Sequence, residues 1–215
     1  MTFFDRPKLA LILADGIKNL QLDLNEAQHE QLLDYLALLF KWNKVYNLTS
    51  VRDPMQMMTH HLLDSLATVP AFADAHNVLD VGAGGGLPGV VLAIARPAMK
   101  VAMIDTVHKK TAFLTQVKAE LELGNVTVYT MRVEQLQVGD KFDVITSRAF
   151  ADLSDFVNWS GHLLAEGGQF IALKGTAPAE EQERLPKEWA VTKLAPLRVP
   201  GLDAERHLVF IQKSK

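Results

Sequence analysis

The stretch that decides the fold is VLDVGAGGGLPG, residues Val78 to Gly89, in which glycine occupies five of the eight positions from Gly82 onward. The apolar residues before the glycines are typical of a buried strand, and GVVLAIA after them is typical of a helix. Glycines at such a turn allow a positive φ and leave bare backbone that a ligand can approach closely. The pattern therefore predicts a strand, a ligand-binding turn and a helix, with positive φ at Gly82, Gly84 and Gly86. The alternative is a glycine-rich connection that binds nothing.

Strands and helices alternate after this turn. Strands are predicted at KVAMID (100–105), VTVYT (126–130), FDVITSRAF (142–150) and QFIALKG (169–175), with helices at HKKTAFLTQVKAELEL (108–123) and LSDFVNWSGHLLAEGG (153–168). Alternation at this spacing indicates βαβ units around a parallel sheet. After a short acidic helix, WAVTKLAPLRVPG and ERHLVFIQK predict two more strands around Gly201. We expect an α/β fold whose sheet is mostly parallel, with an antiparallel C-terminal edge.

The first 76 residues have a helical pattern instead. Asn25 followed by Gln28 has the spacing of a capping box, and apolar residues then recur at helical spacing from Leu32 to Phe40. Asp53-Pro54 predicts a second helix start, with aspartate as the N-cap and proline in the first turn. We therefore expect an N-terminal helical cap (1–76) on an α/β core (77–215), together forming one integrated domain.

Composition excludes several classes of protein. The formal net charge is −3 and the pI is near 6.2, so binding to nucleic acid would need a local basic patch. The chain has no cysteine, which excludes disulfides, thiolate nucleophiles and cysteine–zinc sites. No apolar run approaches the length of about 20 residues that a membrane helix needs. We expect a cytoplasmic protein with no metal site and no membrane contact.

The glycine turn by itself does not identify its ligand. The spacing Gly84-x-Gly86-x-x-Gly89 formally satisfies the dinucleotide pattern, which is a weak signal. Asp80 lies just before the glycines, where a carboxylate is unfavourable beside a pyrophosphate but suits the ammonium and sulfonium of S-adenosylmethionine. Asp105 ends the second predicted strand, where an acid accepts hydrogen bonds from ribose hydroxyls. Both cofactors need such an acid, and the alternative role of Asp105 is to cap the next helix.

If the cofactor is S-adenosylmethionine, the sequence also restricts the methyl acceptor. Transfer to carbon 5 of a pyrimidine requires a cysteine adduct, and this chain has no cysteine. Enzymes that methylate exocyclic amines commonly carry an Asn/Asp-Pro-Pro-aromatic tetrapeptide after the fourth strand, where this chain has SRAF (147–150). A ring nitrogen such as guanine N7 presents its own lone pair and needs only orientation and proximity. No general base is expected.

Several segments together resemble one family, the bacterial 16S rRNA guanine-N7 methyltransferases called RsmG or glucose-inhibited division protein B. The matching segments are WNKVYNLTS (42–50), HHLLDSL (60–66), VLDVGAGGGLPG (78–89), SRAF (147–150) and ALKG (172–175), in family order over almost the whole chain. The resemblance implies a Rossmann-like class I methyltransferase fold with a helical cap. It also implies methyl transfer from S-adenosylmethionine to N7 of one guanine in the decoding-region loop of 16S rRNA.

The resemblance assigns roles to individual residues. It implies that Gly82 and Leu87 contact the cofactor from the first loop, with Val133 and Glu134 beside the adenine. Arg148 would face the methionine end and position the reactants. We add Gly84 and Asp105 to the cofactor site because of their places in the strand-to-helix turns. The expected cofactor-binding set is Gly82, Gly84, Leu87, Asp105, Val133, Glu134 and Arg148.

Other residues carry alternative interpretations. Arg148 could instead pair with Asp80 or Asp105. His60 and Asp64 are four residues apart and share a helix face, which either borders the guanine pocket or forms a buried His–Asp hydrogen bond; His61 is expected to point elsewhere.

The RNA contacts are predicted from polar, aromatic and basic residues. Asn47 reads a base edge or caps a turn, and Trp42 and Tyr46 pack in the core or stack on bases. Phe150 is a second candidate for stacking and Lys174 a candidate for phosphate contact. The expected RNA-binding set is Asn47, His60, Asp64, Phe150 and Lys174, and the basic residues near the ligand edge are Lys41, Lys44, Arg52, Lys109, Lys110, Arg148 and Lys174. Binding should weaken with added salt.

The predicted partner is 16S rRNA or the small ribosomal subunit, and the predicted state is a monomer. Three other functions fit the sequence less well. They are a small-molecule methyltransferase, an RNA-binding module without turnover, and an NAD-dependent dehydrogenase.

Overall fold

A computed structural model describes residues 3–148, 150 and 152–214. One seven-stranded sheet organises it, in the order β3-β2-β1-β4-β5-β7-β6. Strands β1 to β5 are parallel, while β7 is antiparallel to both β5 and β6. The predicted α/β fold with an antiparallel C-terminal edge is therefore confirmed. The strands are β1 (Asn77–Val81), β2 (Lys100–Asp105), β3 (Val126–Thr130), β4 (Phe142–Ser147), β5 (Leu164–Lys174), β6 (Trp189–Pro196) and β7 (His207–Lys213).

The α-helices pack around this sheet. They are α1 (Arg6–Asn19), α2 (Glu26–Tyr46), α3 (Pro54–Met57), α4 (Asp64–Leu66), α5 (Gly89–Ala95), α6 (His108–Glu120), α7 (Leu153–Ser160) and α8 (Ala179–Glu183). A π-helix (Met58–Leu63) joins α3 to α4, and 3-10 turns lie at Val69–Phe72, Val133–Gln135 and Gly161–Leu163. Within the described ranges no helix is long and apolar enough to cross a membrane.

The predicted caps of the N-terminal helices are confirmed. Asn25 accepts from the Gln28 N–H, and the Gln28 side chain accepts from the Asn25 N–H, which completes the capping box of α2. Asp53 accepts from two amides at the start of α3, with Pro54 in the first turn. These bonds satisfy amides that a helix start leaves without partners, so the boundaries are fixed locally.

Helix α2 runs from the amino edge of the sheet toward its carboxyl edge. The Gln28 side chain donates to the carbonyls of Ile94 and Ala95 at the end of α5, and Gln31 donates to Leu121 after α6. Both of those helix ends lie at the amino edge. The Tyr35 hydroxyl then donates to Gly85 beyond β1, at the carboxyl edge.

The helix predicted over 153–168 is wrong in its second half. Helix α7 ends at Ser160, and β5 already begins at Leu164, which pairs with Phe142 of β4. Gly167 has φ 74°, and a Cβ on Gly168 would lie 2.8 Å from the Asp143 carbonyl oxygen. The two glycines therefore allow β5 to bend at the point where its backbone passes close to β4. The fourth predicted strand is also shorter than expected, ending at Ser147, and Ala149 lies outside the described residues.

Candidate active site

The glycine loop after β1 has the predicted left-handed backbone. Gly82, Gly84 and Gly86 have φ of 68°, 57° and 89°. A Cβ on Gly86 would lie 2.5 Å from a methyl carbon of Val90 and 2.9 Å from one of Leu114. A Cβ on Gly84 would meet only the Gly82 carbonyl oxygen, at 3.7 Å. Gly86 is thus needed for packing, whereas Gly84 opens onto free space above the loop.

Asp105 and Tyr35 hold this loop in place. The Asp105 Oδ2 accepts from the Gly84 N–H at 3.0 Å, and its Oδ1 accepts from the Val107 N–H at 2.9 Å. The Tyr35 hydroxyl donates to the Gly85 carbonyl at 2.6 Å from the buried side of α2. Asp105 therefore joins the loop after β1 to the residue that precedes α6, and no side chain among the described residues caps the first turn of α6.

Asp80 lies beneath the loop, fully buried at 0% exposure. Its Oδ2 accepts from the Gly89 N–H at 2.9 Å, while Oδ1 has no hydrogen-bond partner among the described residues. Burial raises the pKa of Asp80 to about 7, against the lowering effect of the Gly89 hydrogen bond. A Cβ on Gly89 would lie 2.8 Å from that Oδ2 and 2.7 Å from Met103, so Gly89 allows α5 to pack closely on the sheet.

A cavity of about 270 Å³ opens beyond β1, β2 and β3. We call it the β2 cavity. Four of the predicted cofactor residues line it together with Phe150 and Trp159: Gly82, Asp105, Val133 and Glu134. Its lining combines apolar side chains with the carboxylates of Asp105 and Glu134 and the guanidinium of Arg132. Leu87 does not line it, because its side chain is 4% exposed and lies in the apolar core.

A second cavity of about 390 Å³ lies between the π-helix, β5 and the start of β7. We call it the β5 cavity. Its charged and titratable lining residues are His60, His61, Asp64, Arg148, Lys174, Arg206 and His207. It therefore contains His60, Asp64 and Lys174 of the predicted RNA set. Arg148 lines this cavity and not the β2 cavity.

Asp64 pairs with two arginines in the β5 cavity. Its side chain is 4% exposed, and its Oδ1 accepts from the Arg206 Nε at 2.8 Å. The Arg148 Nη1 lies 3.5 Å from the Asp64 Oδ2 and 3.4 Å from the His60 carbonyl oxygen. The alternative role of Arg148, an ion pair with Asp80 or Asp105, is therefore not found among the described residues, where its carboxylate partner is Asp64. The side chain of Arg148, just past the end of β4, is directed toward the helical cap.

The π-helix accounts for the position of His61, which differs from the prediction. His60 and His61 both line the β5 cavity, although α-helical spacing turns His61 away. The wider turn of a π-helix changes which residues share a face. Asp64 takes its described side-chain bonds from the two arginines and not from His60, so the predicted His–Asp hydrogen bond is absent from the described part of the chain. His60 instead lies 3.1 Å from the Gln56 carbonyl oxygen.

His61 is held in its neutral form. Its Nε2 lies 2.7 Å from the Thr49 Oγ1, and burial lowers its pKa to about 4, helped by the nearby Arg148 charge. At neutral pH the imidazole adds no charge to the cavity. It ties the loop after α2 to the π-helix.

Other predicted RNA residues have clear structural partners. The Lys174 Nζ donates to the Glu181 Oε2 at 2.7 Å and to the Phe150 carbonyl at 3.0 Å. Phe150 lines the β2 cavity with Val133 and Glu134, so the structure separates it from His60 and Asp64. Its predicted role in base stacking is therefore not supported by its location.

Asn47 caps a helix and Trp42 packs against the core, which are the structural roles that the sequence allowed for them. Asn47 has φ 50° as the C-cap of α2, and its Oδ1 accepts from Arg52 at 2.9 Å. The Trp42 ring packs against Phe113, with ring centroids 5.4 Å apart. Its neighbour Tyr46 is 41% exposed.

Sequence reasoning missed two residues of the site. Arg206 lies in the loop before β7 and reaches Asp64 across 142 positions of sequence, which no local pattern signals. Tyr35 occupies a position of the apolar face of α2. The sequence feature that could have revealed its role is its hydroxyl group. A buried tyrosine needs a partner for its O–H, and here that partner is the glycine loop.

A family model described as rRNA small subunit methyltransferase G matches residues 28–209. The chain belongs to this family. A Janthinobacterium sp. (strain Marseille) protein named Ribosomal RNA small subunit methyltransferase G is 67% identical over 100% of this chain and 99% of its own length. A Burkholderia pseudomallei (strain 1106a) protein of the same name is 55% identical over 96% of this chain and 92% of its own.

Solved structures share the fold at lower identity. An O-methyltransferase from Bacillus cereus in complex with SAH has a TM-score of 0.57 at 17% identity, over 85% of this chain and 91% of that one. The ribosomal protein L11 methylase from Lactobacillus delbrueckii subsp. bulgaricus has a TM-score of 0.55 at 17% identity, over 76% and 80%. At these identities the likeness concerns the fold. Family and fold together confirm the resemblance found in the sequence, the methyltransferase class and S-adenosylmethionine as the donor.

The β2 cavity suits that cofactor. Val133 and Phe150 provide an apolar wall for a flat base, and the carboxylates of Asp105 and Glu134 can accept hydrogen bonds from ribose hydroxyls. Gly84 leaves the loop open above its backbone. The Oδ1 of Asp80, which has no partner within the described ranges, lies beneath the same loop. Which of these residues contact the bound cofactor remains a prediction.

Proposed function

We propose that this protein transfers the methyl group of S-adenosylmethionine to ring N7 of one guanine in 16S rRNA, acting in the cytoplasm as a monomer. When bound, S-adenosylmethionine supplies an electrophilic methyl group on a positively charged sulfur. In this proposal, Gly82, Asp105, Val133 and Glu134 bind its nucleoside part in the β2 cavity. Arg148 positions the acceptor from the β5 cavity.

The observation that carries the proposal is the pair of cavities at the carboxyl edge of one parallel sheet. The β2 cavity has the lining of a nucleoside site, and the β5 cavity is lined by three basic side chains, Arg148, Lys174 and Arg206. Open α/β sheets bind their ligands at this edge. Guanidinium groups suit guanine O6 and phosphate oxygens. A nucleoside donor on one side and a nucleotide acceptor on the other fit this arrangement.

The hydrogen bonds of Asp64, Lys174 and His61 in the β5 cavity favour a ring-nitrogen acceptor. Both oxygens of Asp64 are engaged by arginines, and Lys174 is bonded to Glu181. His61 is neutral but bonded to Thr49. Guanine N7 carries a lone pair and loses no proton when it is methylated, so positioning is the contribution that it needs from the protein.

We also propose the division into a helical cap (1–76) and a methyltransferase core (77–215) that fold as one integrated domain. One apolar cluster supports it, because that cluster includes Leu36 and Leu39 of α2, Val90 of α5 and Met103 of β2. Cap and core therefore share a hydrophobic core.

The experiment uses 16S rRNA transcribed without modification and S-adenosylmethionine labelled in the methyl group. Label should enter RNA at one guanine, located by mapping. A transcript in which 7-deazaguanosine replaces guanosine lacks the N7 atom and should accept no label. Label in the 7-deaza transcript would disprove N7 as the acceptor. Small subunits from a strain lacking the enzyme serve as the second substrate, and no label in either RNA would disprove the activity.

A variant of Arg148 tests its assigned role. Arg148→Lys retains one positive charge but loses the planar fork of the guanidinium. We expect turnover to fall at least tenfold while SAH binds with unchanged affinity, because Arg148 lines the β5 cavity and not the β2 cavity. Equal losses in turnover and SAH affinity would place Arg148 at the cofactor instead.

A further inference from the structure

We propose that the exposed end of α2 and the loop after it form the surface that grips the RNA strand next to the target guanine. We call it the α2-end surface, made of Lys41, Lys44, Val45, Tyr46 and Arg52. The inference rests on the proposed function, because it names how the same substrate is held outside the cavity.

Charge is the first observation. The protein has a formal net charge of −3, yet no acidic residue occurs between Asp34 and Asp53. Lys41, Lys44 and Arg52 fall within this acid-free stretch, and all three are exposed. No ion pair joins any of them to a carboxylate within the part of the chain that the structure describes. Cations without carboxylate partners can release counterions from RNA phosphates at little cost.

An exposed apolar and aromatic strip accompanies these charges. Val45 is 70% exposed and Tyr46 is 41% exposed. The Tyr46 ring lies against Trp42 with centroids 4.9 Å apart, and Trp42 is anchored on Phe113. Tyr46 is therefore held on one side and open on the other. An anchored, half-exposed ring beside lysines is a platform on which an unpaired base can stack.

Position is the second independent observation. Tyr35 already contacts Gly85 at the carboxyl edge of the sheet, and Tyr46 lies eleven residues farther along α2. At about 1.5 Å per residue, the end of α2 projects about 16 Å past that contact. The surface thus extends beyond the edge where both cavities open.

The loop after α2 connects this surface to the β5 cavity. The Asn43 side chain accepts from the Thr49 N–H at 2.8 Å and donates to the Val51 carbonyl at 2.9 Å, which folds the loop back on the helix. Val51 lines the β5 cavity, and Thr49 bonds His61 in its wall. An RNA strand whose guanine enters the cavity can therefore continue directly onto Arg52, Tyr46 and the two lysines.

The same geometry distinguishes the seven basic residues predicted near the ligand edge. Arg148 and Lys174 line the cavity and are paired with Asp64 and Glu181, and Lys110 lies 3.5 Å from Asp105. Their charges are largely balanced within the protein. Four of the seven take no carboxylate partner within the described residues: Lys109 near the start of α6 and the three cations of the α2-end surface. Because three of these four lie on the α2-end surface, we expect it to account for most of the salt dependence of RNA binding.

The test compares two double variants in filter binding to unmodified 16S rRNA at several KCl concentrations. Lys41→Ala with Lys44→Ala removes two charges from the α2-end surface. Lys100→Ala with Lys187→Ala removes two exposed lysines at the opposite, amino edge of the sheet. For the first pair we expect the Kd to rise about tenfold. The slope of log Kd against log salt should fall by about 1.4, since each lost contact to a single strand removes about 0.7.

Tyr46 gives a second readout that does not depend on charge. Tyr46→Ala should weaken RNA binding about tenfold, and Tyr46→Phe, which keeps the ring, should stay within twofold of the original protein. Every variant should bind SAH with unchanged affinity, which shows that the fold is intact. The amino-edge pair should change the Kd for RNA by less than twofold.

Three results would overturn the inference. Equal losses in the two double variants would show that overall charge, and not this surface, binds RNA. An unchanged salt slope would show that Lys41 and Lys44 do not contact RNA phosphates. Weaker binding to assembled small subunits, with normal binding to naked rRNA, would assign the surface to a ribosomal protein. If the original protein binds rRNA but transfers no methyl group to it, the proposed function fails and the surface can still be judged from the binding data.

Discussion

Alanine substitutions at Gly84 and Gly86 should affect different properties of the protein, although both residues have positive φ. At Gly84 the added methyl group enters open space above the loop, and its nearest neighbour is a carbonyl oxygen at 3.7 Å. At Gly86 it meets Val90 at 2.5 Å and Leu114 at 2.9 Å, both fully buried. The first change therefore affects the ligand side of the loop, and the second affects the core.

The magnitudes follow from two separate costs. A left-handed backbone costs an L-residue about 1–2 kcal/mol, and both variants pay this. Forcing an extra methyl group into a packed core costs about 1–3 kcal/mol more, which only Gly86→Ala incurs. We therefore expect Gly84→Ala to lower the free energy of unfolding by about 1 kcal/mol and Gly86→Ala by about 3 kcal/mol.

Urea unfolding and SAH titration separate these effects. The midpoint should move little in Gly84→Ala, while its SAH affinity falls at least tenfold because the methyl group occupies the ligand side. Gly84→Val should abolish SAH binding while leaving the protein folded. In Gly86→Ala the loss of stability should dominate. If Gly84→Ala and Gly86→Ala lose the same free energy of unfolding, or if Gly84→Val binds SAH normally, our placement of the loop is wrong.

Three further substitutions test the surroundings of the loop and the charged centre. Tyr35→Phe removes the donor to the Gly85 carbonyl, so stability should fall by about 1–2 kcal/mol in urea unfolding and SAH should bind several-fold more weakly; Tyr129→Phe is the control, and equal effects would contradict this role. Asp80 has its pKa raised by burial from 3.8 to about 7, so its native form holds a proton that the unfolded chain has lost, and its contribution makes stability fall as pH rises from about 4 to about 7. Asp80→Asn should therefore gain stability relative to the original protein across that window in parallel urea titrations, and a constant difference would show that Asp80 does not titrate there. Asp64→Asn leaves two arginines without their shared carboxylate and should lower the unfolding free energy by about 1–2 kcal/mol, because the arginines are about a quarter exposed; an unchanged urea midpoint would show that the pairing does not stabilise the fold.

The sequence was sufficient where the determinants are local. The capping box of Asn25 and Gln28 and the Asp53-Pro54 helix start involve neighbouring residues, and both are present. The glycine loop and its positive φ values also follow from a short segment. The pattern of parallel strands was predictable because buried strands and amphipathic helices have distinct periods.

The predictions that failed depend on tertiary contacts and on an irregular helix. LLAEGG (163–168) has no strand pattern of its own, and residues 164–168 become the first part of β5 because Leu164 pairs with Phe142, about twenty residues earlier. The π-helix over Met58–Leu63 changes which residues face the cavity, and no residue type signals it. Arg148 finds Asp64 across 84 positions of sequence. Such contacts depend on where the chain has been placed, so local patterns do not contain them.

The place of β7 in the sheet bears on how the polypeptide matures during synthesis. β7 follows the other six strands in the sequence, yet it lies inside the sheet, and among the described residues it is the strand with which β6 pairs. Until β7 has emerged, the backbone groups along one side of β5 face water, and such an open edge can recruit foreign strands. Arg206 immediately precedes β7, so the ion pair between Asp64 and Arg206 also cannot form until this segment has been synthesised. A chain whose synthesis stops before β7 would expose the edge of β5 and would lack two lining residues of the β5 cavity, Arg206 and His207.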